Sequence, residues 1–383
     1  MFELLVKRHW VVGYRLVALL FVLLSMMLRS YGQGSWLDKL PDNYYVESRV
    51  GYGFLIPHHL ETRELQTHFV SHEVALGYLS YGKSRWEYLY EYPRVGLSLW
   101  FSTFGRSEYI GKAYGLHPHI CFPWYGDPTS RLSFRLGVGV GYLTKPYDPV
   151  SNYKNIAIGS YVNAAINLKL EYQHAFSERF VFNGSLDFQH FSNGSLKTPN
   201  HGLNGVSCSV GMMYHLRKPN RFDRRKVLPE LYMFEFDGKR FAYLAMTSYM
   251  GVKDQSYKQG DRLMAVGLSL EMMKPLNFKH KLGVGLDVIH YVPLSHEIRS
   301  QQLTKYGLCG AWHVWLWEVS MDMALGLELL NRGSVFLGAI YEKAAIKYHF
   351  DNGLYPYFGI KAVYGRADFI MFGVGYNLKV IYY

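Results

Sequence analysis

From residue 44 onward, apolar and polar positions alternate with a period of two, in runs rich in Val, Tyr, Phe and Leu that Gly, Pro, Asn and Asp interrupt. On a β-strand successive side chains point to opposite faces, so this alternation predicts strands with one apolar and one polar face. Runs of this kind fall near 44–56, 68–80, 93–104, 110–122, 131–143, 160–175, 178–192, 203–216, 229–249, 261–274, 279–292, 306–318, 335–348, 355–364 and 366–382. Bacterial single-chain barrels hold an even number of strands, so these runs predict one closed sheet of about 12–14 strands. The regions 229–249 and 306–334 carry the miscount, and Asp237-Gly238 has the makings of a hairpin turn inside the first of them.

The first 32 residues differ from the rest. Lys7, Arg8 and Arg15 precede an apolar run from Leu16 to Leu28 and then Ser30-Tyr31-Gly32, the layout of a secretory signal peptide that leaves Gln33 as the mature N-terminus. No later segment offers the roughly 20 uninterrupted apolar residues that a spanning helix needs. An exported chain is then either soluble or a barrel, and composition favours the barrel. Aromatic residues make up 17% of the chain, with 33 Tyr, while charged residues reach only 19%, below the roughly 25% of ordinary soluble domains. Aromatic belts at the two membrane interfaces and a polar lumen behind an apolar wall account for both figures.

The expected fold is therefore all-β, a closed antiparallel transmembrane β-barrel of the outer-membrane type, with residues 33–383 as one domain in the bacterial outer membrane. Its last strand, Tyr376 to Tyr383, is expected to pair with the first and so remove an exposed edge. Its aromatic end resembles the signal read by the barrel assembly machinery. Removing the signal peptide takes away four basic residues and one acid and lowers the net charge from +11 to +8. That surplus suits an anionic partner such as a phosphorylated glycolipid or membrane surface, and nucleic acid is excluded as a partner for an exported barrel. Cys121, Cys208 and Cys309 are odd in number and far apart, which argues against a disulfide framework or a zinc site. His117-Pro118-His119 lacks a nearby carboxylate to complete a ligand set, so no metal or other cofactor is expected.

The chemistry concentrates in His190-Phe191-Ser192-Asn193-Gly194 and the following Pro199-Asn200-His201-Gly202-Leu203-Asn204. By strand parity His190 and Ser192 share a face with Leu186 and Phe188, the apolar side, while Asp187 and Gln189, like Glu171, point to the lumen. Serine hydrolysis needs a hydroxyl, a base within reach, a group that orients the base, and donors for the oxyanion. Ser192 and His190 supply the first two. On the next strand Asn204 falls on the same lipid-facing side and serves as the orienting group. The backbone N–H groups of Asn193 and Gly194 are candidate oxyanion donors. A bare turn or polar rim accounts for the same Asn and Gly residues equally well.

The segment from Ser160 to Leu216 resembles the outer-membrane lipid A 3-O-deacylase family, whose members are also called acyloxyacyl hydrolases. The resemblance rests on His190-x-Ser192-Asn193 followed by Pro199-Asn200-x-Gly202. It implies an eight-stranded architecture for family members, with Ser192 as nucleophile, His190 as base, and Asn193 and Asn200 at the oxyanion, all on the barrel's outer surface. Two departures stand out. The family's orienting Glu, fourteen residues after the His, is Asn204 here, and the chain is far longer than eight strands require. The expected function is a serine esterase that removes an ester-linked acyl chain from lipid A of lipopolysaccharide. The alternatives are a porin or transport barrel, or a structural surface barrel that has lost activity.

Overall fold

The computed structural model describes residues 43–57, 60–82, 84–219, 241–254, 262–294, 304–329 and 339–381. The proposed signal peptide, Gln33 and the Asp237-Gly238 turn lie outside these residues.

Among the described residues, sixteen antiparallel strands close into two barrels of eight rather than one sheet of 12–14. The first comprises β1 (Tyr44–Leu55), β2 (His68–Leu79), β3 (Arg94–Ser102), β4 (Ala113–Gly126), β5 (Ser130–Leu143), β6 (Val162–Ala175), β7 (Phe180–Ser192) and β8 (Leu203–His215). The second comprises β9 (Phe241–Asp254), β10 (Arg262–Pro275), β11 (His280–Pro293), β12 (Thr304–Leu316), β13 (Val319–Glu328), β14 (Ile340–Tyr348), β15 (Leu354–Val363) and β16 (Arg366–Ile381). β8 returns to β1 in an unbroken register from Tyr45↔His215 to Leu55↔Gly205, which uses up both edges of the first sheet. The next strand must therefore begin a new sheet, and β16 closes that sheet against β9, not against the first strand of the chain.

Two differences from the expected strands stand out, and the second accounts for the sixteenth strand. The run placed at 229–249 is β9, which extends to Asp254. The region after 306–318 hides β13, because β12 and β13 are joined by a turn of only Trp317-Glu318 in which Trp317 has φ of +68°. A large aromatic residue in the left-handed region carries no turn signature of the Asn-Gly kind.

Both walls show the expected alternation. On β7 the odd positions Val181, Asn183, Asp187, Gln189 and Phe191 are buried in the barrel, while Phe180 and Leu186 are exposed on the outside. An eight-stranded barrel is just wide enough for its interior to be filled by side chains, and here the filling is largely ionic. Glu171 is fully buried and paired with Arg49 and Arg94. Arg135 bridges Glu47 at 3.2 Å and Glu73 at 2.8 Å, and Lys169 bridges Glu73 at 3.1 Å and Asp187 at 3.0 Å. The outer walls carry Leu, Val, Phe and Met. Paired aromatics such as Tyr44–Tyr78 and Phe180–Tyr214 line one rim of the first barrel, and Phe101–Tyr114 and Tyr142–Tyr161 the other. Apolar wall, polar filling and aromatic rims together are what a bilayer demands of a barrel.

The connections are asymmetric. β4–β5 and β6–β7 turn through 127–129 and 176–179, whereas β5–β6 and β7–β8 are joined at the opposite end by 144–161 and 193–202. Short turns mark the periplasmic end of such barrels and long loops the extracellular end, so β7 runs outward and its last residue, Ser192, stands at the outer rim.

Candidate active site

Phe191 fixes the end of β7. Its side chain is fully buried in the apolar plug that fills the outer end of the first barrel, with ring centroids 5.7 Å from Trp100 and 5.6 Å from Phe104. With Phe191 driven inward, parity turns His190 and Ser192 to the outer wall. His190 is cross-strand partner to Asn204 on β8, and directly opposed side chains on one face lie close enough to touch. The His190 Nδ1 and Asn204 Oδ1 atoms are 2.6 Å apart. An amide oxygen at that distance makes Nδ1 the protonated nitrogen and leaves Nε2 as the basic one. Gly202, at φ of +77°, passes so close that a Cβ there would lie 3.0 Å from His190 Cε1. A side chain at this position would press on the imidazole.

Ser192 is nearly buried. Its Oγ lies 3.2 Å from Asn200 Oδ1 and accepts from Asn200 Nδ2 at 3.0 Å and from the Gly194 N–H at 3.3 Å. The Asn193 N–H donates to Asn200 Oδ1 at 2.9 Å. Two donors, the Asn200 amide and the Gly194 N–H, thus already converge on the serine oxygen. The structure brings together His190 with Asn204, and Ser192 with Asn200 and Gly194. Among the described residues His190 and Ser192 make no hydrogen bond to each other. Asn193 turns its side chain away from Ser192 and donates through Nδ2 to Ser160 Oγ at 2.9 Å and to the Lys197 carbonyl at 2.7 Å. Its side chain therefore braces the loop, and only its backbone takes part in the cluster around Asn200.

Sequence reasoning missed the braces. The 144–161 loop folds over the site: Ile158 and Asn200 form a β-bridge, and the Gly202 N–H donates to the Ala157 carbonyl at 3.0 Å. Ser160, Ala157 and Ile158 carry no motif of their own. Gly202 stood inside the recognised stretch without a role. His117 and His119 lie within the barrel, His117 Nε2 3.0 Å from Gln189 Nε2 and His119 Nδ1 3.1 Å from an Arg135 nitrogen. Among the described residues no group of three or more His, Cys, Asp or Glu side chains is arranged to hold a metal ion. Cys208 is exposed on the outer wall, whereas Cys121 and Cys309 are buried.

Fold and site define a class, membrane β-barrels with a hydroxyl and an imidazole on the outward side of one strand and amides beside them at the long-loop end. Within that class the chain belongs to the outer-membrane lipid A 3-O-deacylase family. The family model described as lipid A 3-O-deacylase (PagL) matches residues 72–213, and that described as the acyloxyacyl hydrolase C-terminal domain matches residues 242–380. Each match falls within one barrel. Among solved structures, the outer membrane enzyme PagL is 15% identical, with 43% of this chain and 97% of that one covered and a TM-score of 0.27. OccAB4 of Acinetobacter baumannii is 10% identical, with 89% of this chain and 99% of that one covered and a TM-score of 0.23. No curated protein matches the chain.

Proposed function

We propose that this barrel pair is a serine esterase that removes an ester-linked acyl chain from lipid A, the phosphorylated glycolipid of lipopolysaccharide, in the outer leaflet. Family membership supports lipid A deacylation as the activity. The observation that supports the mechanism is that His190 and Ser192 share the outward side of β7, with Asn204 Oδ1 2.6 Å from His190 Nδ1 and with Asn200 and Gly194 bonded to Ser192 Oγ. Substrate reaches such a site by lateral diffusion with its acyl chains still in the bilayer.

In the reaction, Ser192 Oγ attacks the ester carbonyl carbon and its proton passes to His190 Nε2. The tetrahedral oxyanion takes hydrogen bonds from the Asn200 amide and the Gly194 N–H, and His190 returns the proton to the departing sugar hydroxyl. Water, deprotonated by His190, then attacks the acyl carbon, and His190 returns that proton to Ser192 Oγ as the acyl-serine bond breaks and the fatty acid leaves. Ser192 must first exchange its contact with Asn200 for one with His190, and hydrogen bonds that are long or absent in resting enzymes commonly tighten when substrate binds. Asn204 holds the imidazole without lending it charge.

Ser192→Ala is expected to leave a folded barrel that no longer shortens lipid A, read by mass spectrometry of lipid A from cells with the wild-type gene, the variant or none. Lipid A deacylated as in wild type by the Ala variant would refute the assignment.

A further inference from the structure

The loop that carries the oxyanion donors is held from two sides. The first barrel braces it through Ser160 and Ile158. Its other face rests on the second barrel, at the outer ends of β9 and β16. The Thr198 N–H and Oγ1 both donate to Asp254 Oδ2, at 3.1 and 3.0 Å. The Asp254 N–H donates to the Ser195 carbonyl at 2.8 Å, and Ser195 Oγ donates to the Ala367 carbonyl at 2.5 Å. Gly194, at φ of +61°, lies so close to Ile370 that a Cβ there would be 2.3 Å from Ile370 Cγ1. All three anchored residues, Gly194, Ser195 and Thr198, belong to the stretch that ends in Asn200.

We propose that the second barrel is a positioning scaffold for the esterase site, and that Asp254 is its principal positioning residue, holding the 193–200 loop so that Asn200 and Gly194 stay aimed at Ser192. This rests on the reading of Ser192 as nucleophile given above. A carboxylate that takes two donors from one residue restrains that residue in both direction and distance. Thr198 is two residues from Asn200, so slack at Thr198 moves the Asn200 amide. Displacement of a catalytic group by about 1 Å lowers rates by roughly 100-fold. The two family matches, one per barrel, fit a second barrel that serves the first.

The test uses the full-length protein, purified and assayed on lipid A in mixed micelles, with kcat and KM measured separately. Asp254→Ala is expected to lower kcat by roughly 10- to 100-fold with KM within about twofold, because the loop aims donors at the transition state and contributes little to ground-state binding. Asp254→Asn keeps an oxygen acceptor for both Thr198 donors and is expected to retain kcat within about threefold. Thr198→Val keeps the N–H bond and loses the hydroxyl bond, and is expected to fall between them. Heat-modifiable migration on gels monitors barrel closure in each variant. Three results would overturn the inference: wild-type kcat in Asp254→Ala, equal loss in Asp254→Ala and Asp254→Asn, or a loss confined to KM. Should Asp254→Ala fail to fold, the Asn and Val variants still decide by their order. Ser192→Ala run in parallel separates the two readings, since activity in that variant removes the nucleophile assignment, whereas an inert Ser192→Ala beside a fully active Asp254→Ala removes only the scaffold.

Discussion

In the proposed esterase the Asn204 amide oxygen, held 2.6 Å from His190 Nδ1, does half of what a carboxylate does in a serine hydrolase. It fixes the tautomer and aims the ring, and it leaves the imidazolium of the transition state without a counter-charge. Removing the amide and adding a charge should therefore move the rate in opposite directions. Asn204→Ala frees the ring and is expected to lower kcat by roughly 10- to 100-fold with little change in KM. Asn204→Glu places an anion beside the ring and is expected to raise kcat by up to about 10-fold, since an opposite charge at close range favours the protonated imidazole. Steady-state kinetics on lipid A checks both, and an Asn204→Ala enzyme with wild-type kcat would remove Asn204 from the mechanism. The contact of His190 with Asn204 was legible at this scale because it is local. Two residues on one strand face and one on the neighbouring strand are related by parity, and parity needs only the sequence. The bond between Ser192 and Asn200 depends on how a loop folds back, and Asp254 is separated from Thr198 by 56 residues of chain. No periodicity spans that gap.

At the scale of strands, the first barrel is built round acids that β1, β2, β6 and β7 turn inward. Glu171 on β6 meets Arg49 from β1 and Arg94 from β3, so its carboxylate ties together strands that are not neighbours in the sheet. A buried pair adds little net stability, but breaking one leaves an uncompensated charge at a cost of about 3–5 kcal/mol. Glu171→Ala leaves the Arg94 guanidinium without its carboxylate and Arg49 with Glu47 alone, and is expected to destabilise the folded barrel by about that much, read from urea unfolding in lipid vesicles. The exposed pair of Lys218 and Glu178, 2.6 Å apart at the turn end, is the control, and Glu178→Ala is expected to change stability by less than about 1 kcal/mol. Equal effects at the two sites would contradict an ionic core. The strands themselves could be read because in-out alternation is written along each one. β13 escaped because Trp317-Glu318 turns the chain without Gly, Asn or Pro, so the run at 306–318 covers β12 alone and β13 falls in the unassigned stretch after it.

Over the whole molecule, alternation specifies strands but not where a sheet closes. One barrel of sixteen strands and two of eight have the same aromatic belts, the same outward apolar faces and the same share of polar residues. What distinguishes them is pairing at a distance, β8 with β1 and β16 with β9, and that leaves no local trace. The consequence for function is large. A barrel of 12 or more strands encloses water, whereas eight strands leave room only for side chains. Here Arg49, Arg135 and Lys169 fill the first lumen, and Lys361 and Phe369 lie fully buried in the second. A cavity between Glu271, His313, Asp322 and Lys347 in the second barrel has a volume of about 20 Å³, room for about one water. The purified protein reconstituted in planar bilayers is therefore expected to give no steady current steps above the bare-membrane baseline, even at concentrations at which a porin conducts freely. Stable, voltage-independent openings of porin size would mean that one of the two lumens is not packed as described, and would restore transport as the function.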